Sequence, residues 1–222
     1  MLRLLWSLFK IENMKVVLIW DLDGTLIDSY GVIVSSLYQI YKEKGVDIDK
    51  KEILRVCINE SVSAFIKQME TKFGIPFDAL KDRYSNISHK EVLNIKAMGH
   101  AKEILEYLHN KGFENYIFTH RGVTTETVLK NIGIFDYFDY IVNSQDGFAR
   151  KPDPAGLNYI IEKFNLDRNN TYYVGDRPLD IECANNAYIK SIMFIPKNSP
   201  ASPTGKETYV VNDLLEIKEI IK

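Results

Sequence analysis

Short apolar runs that each end at a polar or turn residue constrain the fold of this 222-residue chain most strongly. The runs cover residues 16–20, 115–118, 140–142, 171–174 and 191–195. Unbroken apolar runs are typical of strands that are buried on both faces of a parallel sheet. Helical patterns at 101–109, 123–132, 155–164 and 179–187 separate the later runs. This alternation predicts an α/β fold with right-handed crossovers.

Residues 29–97 interrupt the alternation, because they contain only helical spacing of apolar residues and no convincing strand. Pro76 stands at a position that favours the start of one of these helices. One crossover needs only one helix, so a block of this length indicates a separate helical bundle. We therefore expect a core from residues 14–28 and 98–222, an inserted helical domain at 29–97, and an N-terminal extension at 1–13.

Composition excludes several classes of protein. The chain is 45% hydrophobic and 26% charged, which is typical of a globular protein. Its formal net charge of −2 argues against a broad nucleic-acid-binding surface. Cys57 and Cys183 lie far apart in sequence, so we expect neither a disulfide framework nor a cysteine zinc site, and we expect a cytoplasmic protein.

The first nine residues are apolar but too short to span a bilayer, which takes about 20 residues. No small-residue cleavage site follows them, so a signal peptide is not expected. Two interpretations stay open: an extension from an upstream start codon, or a short amphipathic helix packed on the body or on a membrane surface.

Charged and hydroxyl residues follow four of the predicted strands. Because parallel strands present their carboxyl ends at one edge of a sheet, these side chains are expected to meet in one crevice. They are Asp21 and Asp23 after the first run, Thr119 after the second, Lys151 in the loop after the third, and Asp176 and Asp180 after the fourth.

Several carboxylates in one crevice repel one another. At about 4 Å and an effective dielectric near 20, each pair costs about 4 kcal/mol, so the cluster stays ionised only beside a cation. Oxygen ligands without histidine or cysteine favour a hard ion, which predicts Mg²⁺ as the cofactor. The ion and Lys151 would together attract a phosphoryl group.

The order of these residues resembles that of the haloacid dehalogenase-like hydrolases. The sequence DLDGTL at 21–26 resembles the first motif of that family, Thr119 lies at the second, KPDP at 151–154 at the third, and GDRPLD at 175–180 at the fourth. Asp28, Ser29 and the helical insertion resemble the branch that contains phosphoglycolate phosphatase. The resemblance implies a Rossmann-like parallel core with an inserted, mobile, all-helical cap.

The resemblance also implies catalytic and metal-binding roles. Asp21 is then the nucleophile that forms an aspartyl-phosphate, Asp23 is the general acid and base, and Lys151 assists the reaction. The ion takes a side-chain oxygen of Asp21, the backbone carbonyl of Asp23 and a carboxylate oxygen of Asp176. Asp180 holds a metal-bound water or orients Lys151.

Phosphate binding follows from the same resemblance. Thr119, Lys151 and backbone N–H groups near Gly24 and His120 hold the phosphoryl oxygens, and glycine at position 24 avoids crowding the turn. His120 and Arg121 depart from the pattern of the branch, in which asparagine often follows the threonine. His120 is then a substrate contact, a group that tunes the nucleophile, or a polar residue at the sheet edge. Arg121 binds a second anionic group of the substrate or is a surface charge.

The sequence thus predicts a phosphatase that hydrolyses a small phosphorylated metabolite of the phosphoglycolate kind. No nucleic-acid or membrane partner is expected, and the chain is expected to act as a monomer or homodimer. A β-phosphoglucomutase-like phosphosugar mutase would share every core residue, and a non-catalytic phosphate- or partner-binding module would share the fold. A dehalogenase needs no second carboxylate, so Asp23 argues against that reaction.

Overall fold

A central parallel sheet confirms the α/β fold class. The computed structural model describes residues 15–197 and 199–221, so the predicted extension at 1–13 lies outside the described residues. Six strands lie in the order β5-β4-β1-β6-β7-β8, and every neighbouring pair is parallel. The strands of this sheet are β1 (Val17–Trp20), β4 (Glu114–Phe118), β5 (Tyr140–Val142), β6 (Thr171–Gly175), β7 (Lys190–Phe194) and β8 (Tyr209–Val211).

Nine α-helices accompany the sheet in the described ranges. The first four lie in the insertion: α1 (Tyr30–Glu43), α2 (Lys50–Asn59), α3 (Val62–Phe73) and α4 (Phe77–Ser88). The others are α5 (Ala101–Asn110), α6 (Thr125–Asn131), α7 (Ala155–Phe164), α8 (Pro178–Asn186) and α9 (Ile217–Ile220). The predicted helix at 155–164 coincides with α7, and the other predicted core helices agree with α5, α6 and α8 to within two residues at each end.

Strand β1 is buried on both faces, because successive side chains of a strand point to opposite sides of the sheet. Leu18 and Trp20 join the apolar cluster that includes Ile104 of α5 and Val128 of α6. Val17 and Ile19 join a second cluster, on the opposite face, that includes Leu157 and Ile160 of α7. The continuous apolar run at 16–20 therefore reflects a central strand covered by helices on both sides.

The inserted helices α1–α4 enclose an apolar cluster of their own, which includes Leu37, Ile53, Phe65, Met69 and Leu80. Local sequence fixes where several of these helices begin and end. The side chains of Asp49 and Ser61 accept backbone N–H bonds at the starts of α2 and α3, as N-caps do. Gly74 ends α3 in the left-handed region, and Pro76 precedes α4 as the sequence predicts. The domain boundaries at 29 and 97 stay a prediction.

A small antiparallel pair joins the insertion to the core. Strand β2 (Ile27–Asp28) pairs with β3 (Lys96–Ala97), so the two connections to the insertion lie side by side. The sequence indicated no strand between 29 and 97. A strand of two residues is too short for any hydrophobic period to show.

In the ranges that the structure describes, none of the helices combines the length and the apolar character needed to cross a membrane.

Candidate active site

The predicted crevice forms where β1 lies between β4 and β6. Asp21 follows β1 directly, Thr119 follows β4, and Asp176 follows β6. The backbone continues the sheet through these positions, because Asp21 N–H donates to Val174 O over 2.8 Å and Thr119 N–H to Val142 O over 3.0 Å. All three predicted residues therefore reach the same edge of the sheet.

Lys151 is brought to this edge by the loop after β5. Its ammonium donates to Asp21 Oδ1 and, over 2.7 Å, to Asp180 Oδ1. All three side chains are buried, with 0–1% of each exposed. Burial alone would lower the pKa of Lys151, but Asp180 and Asp21 raise it above its ordinary value, so the group stays charged. Asp180 therefore holds the ammonium of Lys151, and its expected part in the metal site stays a prediction.

Asp21, Asp176 and Asp180 form an acidic cluster whose potential ligand atoms lie within 4.8 Å of one another. Burial raises the pKa of Asp21 to about 6 and that of Asp176 to about 8, and the neighbouring carboxylates add to the rise. Asp21 Oδ2 is buried and has no hydrogen-bond partner among the described residues. A divalent cation would remove the repulsion and satisfy this oxygen, so the donor set fits Mg²⁺.

Asp23 stands apart from this cluster and faces Arg121. The guanidinium donates to Asp23 Oδ1 from Nη2 over 2.9 Å and from Nε over 3.2 Å, and its Nη1 donates to Thr124 Oγ1 over 2.9 Å. Burial would raise the pKa of Asp23, but the charge and hydrogen bonds of Arg121 more than offset this and hold it below its ordinary value. The sequence did not foresee this pairing. The expected binding of a substrate anion by Arg121 stays a prediction.

His120 contacts the loop that carries Lys151. Its Nε2 accepts the backbone N–H of Lys151 over 3.0 Å, and its ring packs edge-on against Phe118. Burial, followed by the positive charge of Lys151, lowers the pKa of His120 to about 3, so the ring is neutral. The structure therefore shows a residue that holds the lysine loop. Its expected contact with a phosphoryl group stays a prediction.

Gly24 occupies the turn after Asp23 with φ +87°, in the left-handed region that favours glycine. A Cβ at this position would overlap the carboxylate of Asp176 and the ring of Tyr30. Its own N–H donates to Ile27 O over 2.9 Å. The glycine thus keeps this turn free of crowding, as the sequence predicts, and the atoms that a Cβ would meet belong to Asp176 and Tyr30. Its predicted role in phosphate binding is untested.

A cavity of about 550 Å³ lies between the core and the inserted helices. From the core it is lined by Asp21, Asp23, Thr119, His120 and Arg121, and from the insertion by residues that include Ile66, Lys81, Tyr84 and Ser85. Thr119 Oγ1 accepts the backbone N–H of Arg121 over 3.1 Å. Of the residues predicted from the strand ends, Asp21, Asp23 and Thr119 therefore line this cavity. The others do not line it but are hydrogen-bonded to residues that do; they are Lys151, Asp176 and Asp180.

Two further residues reach the site without having been assigned there from sequence. Tyr30, the first residue of α1, donates its hydroxyl to Asp176 Oδ2 over 2.8 Å. Arg177, which the sequence did not place in the site, lines the cavity. Only their positions in the sequence could have indicated that these residues reach the site, because Tyr30 follows Asp28 and Ser29, and Arg177 follows Asp176.

The fold and this set of side chains define an α/β protein with an acidic site at the carboxyl edge of a parallel sheet. A family model for haloacid dehalogenase-like hydrolases matches residues 18–194. The chain belongs to this family, as the resemblance of its four motifs predicted.

The similarity to named relatives covers most of the chain. It is 26% identical over 207 residues to a pyrophosphatase PpaX of Oceanobacillus iheyensis, covering 92% of this chain and 95% of that protein. It is 27% identical over 183 residues to a phosphoglycolate phosphatase of Cereibacter sphaeroides, covering 79% and 83%. The fold is similar to a crystal structure described as a predicted phosphoglycolate phosphatase of Haemophilus somnus, with a TM-score of 0.83, 19% identity, and coverage of 95% of this chain and 100% of that one.

Proposed function

We propose that this protein is a Mg²⁺-dependent phosphatase that hydrolyses a small phosphomonoester through an aspartyl-phosphate intermediate. The observation that carries the proposal is how the two carboxylate oxygens of Asp21 are held. One carboxylate oxygen is held by Lys151, and the other is buried without a hydrogen-bond partner among the described residues. A buried carboxylate with an unused oxygen at the floor of a cavity is suited to act as nucleophile and as metal ligand.

The residues that would hold the ion are Asp21, Asp176 and the backbone carbonyl of Asp23. When bound, Mg²⁺ neutralises charge that develops on the phosphoryl oxygens. Asp180 takes no direct part in this proposal except to fix Lys151, to which it is hydrogen-bonded. Lys151 and Thr119 would then hold phosphoryl oxygens, with His120 keeping the lysine loop in place.

The reaction would proceed in two steps. In the first, an oxygen of Asp21 bonds to phosphorus, the ester P–O bond breaks, and Asp23 gives its proton to the leaving oxygen. In the second, a water oxygen bonds to phosphorus, Asp23 takes the water proton, and the bond to Asp21 breaks to release orthophosphate. Asp23 must be protonated before the first step, so its ion pair with Arg121 has to open when substrate binds.

The size and setting of the cavity support a small substrate. A volume of about 550 Å³ admits a metabolite and is closed on one side by the inserted helices, which we propose act as the cap. The relatives named pyrophosphatase and phosphoglycolate phosphatase act, by those names, on small phosphorylated compounds. We propose phosphoglycolate or a similar metabolite as substrate and the cytoplasm as location, with no nucleic-acid or membrane partner.

A test of this proposal compares Asp21→Asn with Asp78→Asn, an exposed aspartate on α4. Orthophosphate release from p-nitrophenyl phosphate is measured with Mg²⁺ and with EDTA. We expect hydrolysis by the wild type with Mg²⁺ only, a loss of more than about 1000-fold in Asp21→Asn, and unchanged activity in Asp78→Asn. Near-wild-type activity of Asp21→Asn would refute the nucleophile.

The same assay separates the two alternatives. A mutase of the β-phosphoglucomutase kind would convert glucose 1-phosphate to glucose 6-phosphate with little orthophosphate release, and a non-catalytic module would do neither. Hydrolysis of a panel of phosphorylated metabolites without sugar isomerisation supports the phosphatase.

A further inference from the structure

Two arginines lie next to residues of the proposed active site. Arg150 directly precedes Lys151, and Arg177 directly follows Asp176, so each Cα lies about 3.8 Å from that of its neighbour. Both arginines line the same cavity as Asp21. Two different loops of the core therefore bring these arginines to the cavity that Asp21 lines.

The side chain of Arg177 forms an ion pair with Asp180 but has a buried donor without a hydrogen bond. Its Nε is buried and finds no acceptor among the described residues, and the Asp180 Oδ2 that faces it lies 3.7 Å away, too far for a hydrogen bond. Asp180 already accepts Lys151 Nζ at Oδ1 and the backbone N–H of Arg177 at Oδ2. Leaving a buried donor unpaired is costly, so the site is complete only when an acceptor arrives.

Arg150 differs from Arg177 in having no carboxylate within ion-pair distance among the described residues. Its guanidinium makes no hydrogen bond within residues 15–197 and 199–221, and Arg150 belongs to an exposed loop but lines the cavity. Desolvation, followed by the positive charge of Arg177, lowers the pKa of Arg150. An anion bound in the cavity near both arginines would be attracted by both positive charges.

Two other positively charged groups of the core are hydrogen-bonded to carboxylates before substrate binds. Arg121 bonds to Asp23, and Lys151 bonds to Asp21 and Asp180. Arg150 and Arg177 are therefore the cavity-lining core arginines whose side chains make no hydrogen bond to a described residue before substrate binds. Guanidinium groups match carboxylate and phosphoryl oxygens in geometry, because their planar N–H donors pair with two oxygens at once.

We propose that Arg150 and Arg177 form a subsite for a second anionic group of the substrate, either a carboxylate or a second phosphoryl group, next to the phosphoryl group that is transferred. This inference rests on the proposed function, because it defines the subsite relative to the phosphoryl position. It makes Arg150 and Arg177 specificity-determining residues for the second group of the substrate.

The experiment measures binding without hydrolysis. Phosphonoacetate carries a phosphonate and a carboxylate, methylenediphosphonate carries two phosphonates, and methylphosphonate carries one phosphonate with no second anion. Isothermal titration at a fixed Mg²⁺ concentration gives the dissociation constant of each for the wild type, for Arg150→Gln, and for the double variant Arg150→Gln/Arg177→Gln. Arg55→Gln is the matched control, since Arg55 is exposed and forms its ion pair with Glu52, away from the cavity.

We expect the wild type and Arg55→Gln to bind at least one dianionic analogue about 10- to 100-fold more tightly than methylphosphonate. The double variant should lose this preference while its affinity for methylphosphonate stays the same. Arg150→Gln should lose part of it, and this exposed-loop variant keeps the test valid if the double variant does not fold. Which analogue binds more tightly identifies the second group as carboxylate or phosphoryl.

Equal binding of all three compounds by the wild type would overturn the subsite, as would an unchanged preference in folded Arg150→Gln and double variants. Hydrolysis of p-nitrophenyl phosphate, assayed separately, keeps the two proposals distinct. A wild type that shows the preference but hydrolyses nothing refutes the phosphatase and keeps the subsite. A wild type that hydrolyses p-nitrophenyl phosphate without any preference refutes the subsite alone.

Discussion

The two walls of the cavity differ in how their side chains are held. On the core side, Asp21, Lys151 and Asp180 are buried and bonded to one another. On the side of the inserted helices, Lys81 forms no ion pair with a described residue, and Tyr84 packs against the apolar cluster of the insertion. A group of residues bonded to one another suits a fixed chemical reaction, whereas a side chain without such bonds can adjust to the substrate. The comparison predicts that variants of Asp21, Lys151 and Asp180 alter turnover and stability, whereas variants of Lys81 and Tyr84, like those of Arg150 and Arg177, alter substrate binding.

The most disruptive change to the core wall is Lys151→Met. It leaves Asp21 and Asp180 buried without their cation, and removing one partner of a buried pair costs about 3–5 kcal/mol. We expect that loss in the free energy of unfolding, measured in urea, together with loss of phosphatase activity. Lys130→Met is the control, because Lys130 forms an exposed pair with Glu126 on α6. Equal unfolding curves for the two variants would contradict the buried network.

A glycine pair tests how closely the core wall is packed. Gly24 and Gly45 both have positive φ, of 87° and 68°, but only the Cβ at position 24 would overlap other side chains. Both alanine substitutions incur the backbone cost of about 1–2 kcal/mol, and Gly24→Ala should cost about 1–3 kcal/mol more. Thermal or urea unfolding measures the difference. If the two variants lose the same stability, the turn at Gly24 has more space than the structure shows.

Tyr30 is an exception to the comparison, because it belongs to the insertion but bonds to a carboxylate of the core. Its hydroxyl donates to Asp176 Oδ2, and the hydrogen bond favours the ionised carboxylate. We expect Tyr30→Phe to weaken Mg²⁺ binding by about 10-fold, measured as the metal dependence of activity and by direct titration with the ion. Tyr38→Phe is the matched control, since Tyr38 lies on the same helix and bonds to the exposed Asp47. An unchanged Mg²⁺ titration would remove Tyr30 from the site.

The smallest effect on activity is expected from a substitution in the inserted helices. Tyr84→Phe removes only a hydroxyl that faces the cavity, where burial raises the pKa of the phenol. We expect a KM change of a few-fold at most, an unchanged kcat and a free energy of unfolding within about 0.5 kcal/mol of the wild type. Steady-state kinetics on two substrates of different size measures this. A large fall in kcat would show that the insertion takes part in the chemical step.

The positions at the strand ends could be predicted, whereas most bonds between side chains could not, the exception being the bond of Lys151 to Asp180 that was one of two expectations for Asp180. Thr119 and Asp176 were placed correctly relative to Asp21 because parallel strands present their carboxyl ends at one edge. The ion pair of Asp23 with Arg121 depends on which rotamer each adopts across 98 residues of separation, and no sequence period reports that. The unpaired Nε of Arg177 was missed for the same reason.

The central claim is that phosphoryl transfer passes through Asp21. Rapid acid quenching of the enzyme during turnover of p-nitrophenyl phosphate, followed by peptide mass spectrometry, tests it directly. We predict a phosphorylated peptide with the modification on Asp21, which decays when turnover ends and is absent from Asp21→Asn. A phosphoryl group found on another residue, or the same labelled peptide in Asp21→Asn, would contradict the account.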